Sequence, residues 1–192
     1  MNFSAFFTYL LITAFTPGPN NIMVLNVSRK RGFRRSLNFT SGIFLGFFAI
    51  SFLSALFTSK LFKWIPVIEP YLKIVGAIYI LYLAWKIQFH HKERENESKN
   101  TSSFLSGFLL QFVNIKTILA CLIAISTFIL PNYSTKIALF FYTTLIAIVG
   151  CSGTLLWAIC GSAFQKIFSK FEKISNIIMC VLLIYCAISL FL

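Results

Sequence analysis

The sequence predicts an all-α integral membrane protein whose six transmembrane helices form two inverted three-helix repeats, with spans one and four interrupted near mid-membrane. Three observations carry that expectation. Of 192 residues, 58% are hydrophobic, 17% are aromatic and only 11% are charged, which is too apolar for a soluble domain. Charge-free runs recur at the length that a bilayer demands. Two of these long apolar segments hold polar or helix-breaking residues near their midpoints, TPGPNN at 16–21 and QFVNIK at 111–116.

The spans follow in order. Met1 to Ser28, Ser36 to Ser59, Ile137 to Gln165 and Ile174 to Leu192 each reach or exceed the roughly 18–20 residues needed to cross, and they supply spans one, two, five and six. Between Lys73 and Lys86 lie only the uncharged residues IVGAIYILYLAW. Those lysines stand about 20 Å apart at 1.5 Å per residue and can snorkel to opposite interfaces, so a third span is predicted from about Tyr71 to Phe89. A loop carrying Lys60 and Lys63 is expected to join it to span two. Span four runs from Phe104 to Leu130 with one charge, Lys116.

The polar stretch HHKERENESKNTSS, residues 90–103, is the one linker. It divides a single membrane domain, 1–192, into a first repeat at 1–89 and a second at 104–192. Because three spans is an odd number, a duplicated unit enters the membrane in opposite orientations. In each half the span after the interrupted one carries small residues four or three apart, Gly42 and Gly46 in span two and Gly150 and Gly153 in span five. Helix packing is the role expected for them.

Lys and Arg mark the cytoplasmic side. Twelve fall in the loops after spans one, three and five, beginning with Arg29, Lys30, Arg31, Arg34 and Arg35, whereas Lys60, Lys63, Lys73 and Lys136 fall opposite. Both chain ends are therefore predicted on the outer face of an inner (plasma) membrane. These loops and their contact with anionic lipid account for the net charge of +12, and no nucleic-acid partner is expected. The start MNFSAFFTYL has no basic region, so a cleavable signal peptide is not expected.

TPGPNN has specific chemistry. Pro17 and Pro19 lack the N–H that a helix would give to Thr13 and Phe15, and each pushes Thr16 or Gly18 out of the helical region. The first span must unwind near residues 15–18, with Thr16, Pro17, Gly18 and Pro19 as its break and hinge. Freed carbonyls in hydrocarbon cost several kcal/mol each unless protein or water satisfies them, so the break should face the bundle interior or a cavity. Proline is a good first helical residue, so Pro19 can open a second half-helix whose bare N–H groups include those of Asn20, Asn21 and Ile22. A half-helix start at that depth favours an anion, and the asparagine amides add donors and acceptors for a small zwitterion.

Lys116 lies roughly 18–21 Å from either end of span four along the axis. A charge there costs about 2.5–3.5 kcal/mol on insertion scales, which makes an intramembrane lysine a functional candidate. A substrate carboxylate, or the polar atoms of Gln111 and Asn114 in the same break, are its expected partners. Asn20, Asn21, Gln111, Asn114 and Lys116 are thus the candidate substrate-binding set. No catalytic set, metal site or cofactor is expected. Aspartate is missing from the chain, Glu93, Glu95 and Glu97 belong to the linker, and His90 and His91 read as solvated. The five cysteines all fall in spans and none are spaced C-x-x-C, which suits small apolar packing better than redox work.

TPGPNN, the basic loop SRKRGFRRS and SGIFLG together resemble the opening of the LysE/RhtB family of amino-acid exporters. The similarity continues through GAIYILYLAWK, LQFVNIK, STFILP and WAICGSAFQKIF, so it covers essentially the whole chain. The usual Asn-Pro-Lys of that family in span four reads Asn114-Ile115-Lys116 here, without its second helix breaker. Within the family, QFVNIK, TPGPNN and the AWK at 84–86 are most similar to the branch that exports cysteine and O-acetylserine. The resemblance implies proton-driven export of small neutral amino acids. Export of homoserine, threonine or leucine-type amino acids is the alternative, a membrane thiol oxidoreductase is the rival from another class, and a homodimer is left open.

Overall fold

The computed structural model describes residues 1–89, 103–133 and 135–191, and within the long third helix the side chains of 57–66, 68, 69, 72 and 89 lie outside that description. The linker expected at 90–103 therefore falls almost wholly outside it. The described residues are helical and contain no strand: α1 Phe3–Phe15, α2 Pro19–Arg31, α3 Phe33–Phe89, α4 Phe104–Val113, α5 Ile115–Ile123, a π-helical segment Ala124–Ile129, α6 Lys136–Ala163, α7 Gln165–Lys170 and α8 Glu172–Ile188. Side chains set several starts. Asn2 accepts from the Ala5 N–H, Ser103 from the Ser106 N–H and Thr135 from the Ala138 N–H, each satisfying a donor that the first turn leaves bare.

By length and composition, Phe33–Leu56 within α3 and the whole of α6 suffice to cross a membrane. The pair Phe104–Val113 and Ile115–Ile129, bent by 62°, forms a third crossing element, and α1 is a shorter apolar helix. Large apolar side chains such as Leu56, Ile78, Ile137 and Val181 stand exposed on the outer surface, as a lipid-facing wall requires.

The backbone differs from the sequence expectation between spans two and three. A loop was expected near Lys60 and Lys63, but residues 33–89 are continuously helical. No Gly, Asn or Asp lies between residues 57 and 70 to end a helix, and Pro66 and Pro70 each lack the N–H of one helical hydrogen bond. The helix does double back. Gly46 and Gly76 would stand about 45 Å apart on a straight helix, yet Gly46 abuts Gln111 and Gly76 abuts Val113 and Ile115.

Glycine decides how closely the two limbs of this architecture approach their neighbours. A Cβ at Gly42 would lie 1.9 Å from the Phe104 carbonyl oxygen, and one at Gly107 would lie 2.2 Å from that of Phe39. Further along, Gly46 meets Gln111 and the Ser51 hydroxyl meets the Cys121 thiol at 3.3 Å, so the first limb of α3 runs in the same direction as α4 and α5. Similarly α6 runs with the first two helices: Gly153 abuts Ala14 and Gly161 abuts Leu25 and Ser28, while Gly150 faces the Phe47 ring. Gly107→Val is expected to destabilise by at least about 1–3 kcal/mol through overpacking against backbone. Thermal unfolding in detergent should show it clearly below Gly76→Ala, where the nearest atom is 3.2 Å away.

Two apolar cores result. One gathers α2, both limbs of α3, Leu110, Ala158 and α8; the other gathers Phe6, Leu10, Ile50, Cys121, the π-helical segment and Ile146. The chain breaks after α1 and after α4 lie between them. From Gly18 to Arg29 every residue is buried. That includes Arg29, which the charge count placed in a solvated loop: it is 5% exposed, and its guanidinium donates to Asn26 Oδ1 at 3.1 and 2.8 Å and to Asn176 Oδ1 of α8. A buried guanidinium is tolerable only with such partners.

Candidate functional site at the facing helix breaks

The first break falls where the prolines require. α1 ends at Phe15, Thr16 and Gly18 are extended, and Pro19 is the first residue of α2. The carbonyls released there can be followed one by one. Ala14 O accepts from Asn21 Nδ2 at 2.9 Å, and Phe15 O accepts from Trp157 Nε1 at 3.2 Å. Thr16 O accepts from Asn21 Nδ2 at 3.0 Å and from Lys116 Nζ at 3.2 Å, and Pro17 O accepts from Lys116 Nζ at 3.2 Å. Lys116 Nζ also donates to Thr16 Oγ1 at 2.8 Å. The lysine of α5 thus stitches the broken backbone between α1 and α2.

Gly18 gives that lysine its room. A Cβ there would stand 3.1 Å from Lys116 Cδ and 3.2 Å from Nζ. With φ near −164°, Gly18 is extended, so space rather than backbone conformation calls for glycine. The expected donors at the start of α2 need one correction. The Ile22 N–H is not bare but bonded to Gly18 O at 2.9 Å, because Gly18 already serves as the helix cap. The open N–H positions of the first turn belong to Asn20 and Asn21, since Pro19 has none.

The second break forms without proline. α4 stops at Val113 and α5 starts at Ile115, with Asn114 between them at φ −84° and ψ 89°. Side chains hold it there. Asn20 and Gln111 exchange two amide bonds of 2.9 Å, and Asn114 Nδ2 donates to Asn20 Oδ1 at 2.7 Å. All three residues are buried, and Thr117 lies 3.4 Å from Asn20 Nδ2. The amide cluster therefore links α2 to the break between α4 and α5, which also corrects the expected partners of Lys116: Gln111 and Asn114 bond to Asn20, not to the lysine.

Two cavities meet at this point. A narrow one of about 50 Å³ is lined by Asn20, Asn21, Asn114, Lys116 and apolar residues of α1, α3 and α6. A wider one of about 330 Å³ shares Tyr9, Thr13, Asn114, Lys116 and Ala120 with it, and reaches Pro17, Tyr185 and Ser189. Asn114 Oδ1 is buried without a hydrogen-bond partner. The five candidate residues read from the sequence thus converge on one place, with a lysine ammonium, an open helix start and an unmet acceptor around a cavity.

The whole region matches the model of the LysE type translocators, over residues 11–192. The chain belongs to the LysE family. A cysteine/O-acetylserine efflux protein of Salmonella choleraesuis (strain SC-B67) is 42% identical over 191 residues, covering all of this chain and 98% of that protein. One of Escherichia coli O139:H28 is 40% identical over 188 residues, covering 98% and 96%. No solved structure matches. In this LysE member, residues that sequence reasoning missed complete the site: Trp157 donates into it, Thr117 accepts from Asn20 Nδ2, and Tyr9, Thr13 and Thr154 line it. Tyr9, Thr117, Thr154 and Trp157 bond to partners over 90 residues away, which no local pattern marks.

Trp157 offers a clean check. Trp157→Phe keeps the ring and removes the donor, leaving Phe15 O unsatisfied at a cost of about 1–3 kcal/mol. A lowered unfolding temperature with transport retained within severalfold is the expected result.

Proposed function

We propose that this protein is a secondary active exporter of small neutral amino acids, cysteine and O-acetylserine first among them, moving them from the cytoplasm outward across the inner membrane. Full-length similarity to efflux proteins named for those two substrates supports the substrate class. The single observation that carries the mechanism is the convergence of both helix breaks on one cavity, with Lys116 bridging them.

In this reading α1 with α2, the two limbs of α3, α4 with α5, α6 and α8 are six spans in two inverted halves, with both chain ends outside. Exchanging the halves turns the α6 pairing with span one into the α3 pairing with span four, and the parallel runs of small-residue contacts support that exchange. The substrate carboxylate takes a place between Lys116 Nζ and the Asn20 and Asn21 N–H groups, where a cation and a helix start both favour negative charge. Rocking of one half against the other then moves the bound amino acid between faces, driven by the proton gradient.

Overexpression in cells tests this directly, by assay of cysteine and O-acetylserine in the medium. Wild type should raise both, and Lys116→Ala and Asn20→Ala should not. Equal export by wild type and both variants would remove the site, and no export by wild type would remove the function.

A further inference from the structure

We propose that the narrow cavity beside Lys116 is the side-chain pocket of the transported amino acid, and that Phe47 sets the size it accepts. The inference rests on the exporter reading above and assigns a part of the site that the sequence leaves blank. The cavity lining has two chemically distinct parts. Asn20, Asn114 and Lys116 form one set in it, and Leu10, Phe47 and Ile146 from α1, α3 and α6, which share one apolar core, form the other.

An α-amino acid has the same division. Its carboxylate and ammonium need polar partners, while a small side chain needs a shaped apolar space. Asn114 is 3% exposed and borders both cavities, and its buried Oδ1 has no donor to meet, so an α-ammonium seated there supplies the missing N–H. The orientation of that amide follows from its own Nδ2, which is held by Asn20. Since the wider cavity touches the same Asn114 and Lys116, the polar head sits where the two meet and the side chain points into the narrow one.

Phe47 belongs to the apolar part. Its ring lies against Gly150 so tightly that a Cβ on that glycine would stand 2.4 Å from the ring Cζ. No space passes between α3 and α6 at that level. A short or slender side chain fits such a slot, whereas one branched at Cγ meets the ring. Removing the ring opens room for a larger group, and a difference of one methylene in an apolar pocket already discriminates roughly 10–200-fold.

The test is paired uptake of labelled cysteine and leucine by the purified full-length protein in proteoliposomes. Phe47→Ala should raise the leucine-to-cysteine ratio at least about tenfold over wild type, and Phe47→Leu should move it the same way by less. Ile146→Ala, on the opposite wall, should also favour leucine, which keeps the test open if either Phe47 variant is recovered only as aggregate. An unchanged ratio in the variants that still carry cysteine overturns the pocket alone. Wild-type protein that carries no small neutral amino acid overturns the exporter reading, and the pocket with it.

Discussion

Lys116→Ala is expected to lower cysteine and O-acetylserine export by about 100-fold or more while the protein still reaches the membrane. The lysine gives its charge to the substrate carboxylate in the proposed site, and hydrogen bonds to charged groups contribute about 1.5–3 kcal/mol each, where 1.4 kcal/mol is tenfold. Folding should suffer less. Thr16 and Pro17 are exposed, so cavity water can reach the carbonyls that the lysine now satisfies, and Thr16 O keeps Asn21. Deleting an intramembrane cation also eases insertion. Lys116→Arg keeps the charge, but its planar fork must fit the space that Gly18 leaves at 3.1–3.2 Å, so partial activity is expected. Immunodetection in membranes beside the export assay separates the two effects.

Asn20→Ala should be costly in a different way. Asn20 is the hub of the amide cluster, bonded to Gln111 twice and to Asn114 once, and all of these groups are buried. Truncation strands the amides of Gln111 and Asn114, at about 1–3 kcal/mol for each unsatisfied group, so a stability loss of several kcal/mol accompanies the loss of export. The double variant Asn20→Ala with Gln111→Leu should recover part of the stability, since the stranded amide is replaced by an apolar group, but not the export. Thermal unfolding of the two single variants and the double in detergent measures that coupling. Additive losses would mean that the two amides do not act together.

The parts of this molecule that were legible in its sequence are those governed by local rules. Proline's missing N–H acts within four residues, so TPGPNN announces its own break. Lys116 announces itself by charge against hydrocarbon, and charge-free lengths mark the apolar segments. What could not be read depends on distant contacts. Trp157 reaches Phe15 across 142 positions. Likewise, Lys116 bonds to Thr16 rather than to the polar residues beside it, because its own break is already held by Asn20. The helical continuity of 33–89 escaped for the opposite reason: charges at Lys60 and Lys63 suggest a loop, but the backbone stays helical through them and through Pro66 and Pro70. Arg29 shows the limit of charge counting, which assumes solvent where the fold supplies Asn26 and Asn176.

Asn114 is instructive on the second break. The Asn-Pro-Lys that the family resemblance implies reads Asn114-Ile115-Lys116, with no proline at the break. The break persists because buried side chains, not a missing N–H, hold Asn114 out of the helix. Asn114→Leu should therefore favour a straighter path from α4 into α5, whose break contains no proline.

The measurement that bears most directly on the central claim is uptake of labelled cysteine and O-acetylserine into proteoliposomes under an imposed pH gradient, run in parallel for wild type, Lys116→Ala and Asn20→Ala. Gradient-dependent uptake by wild type that a protonophore abolishes, and that both variants lack, is the result this account predicts. Uptake by either variant at the wild-type rate would contradict the site at the facing breaks, and wild-type protein inert under the gradient would contradict the exporter itself.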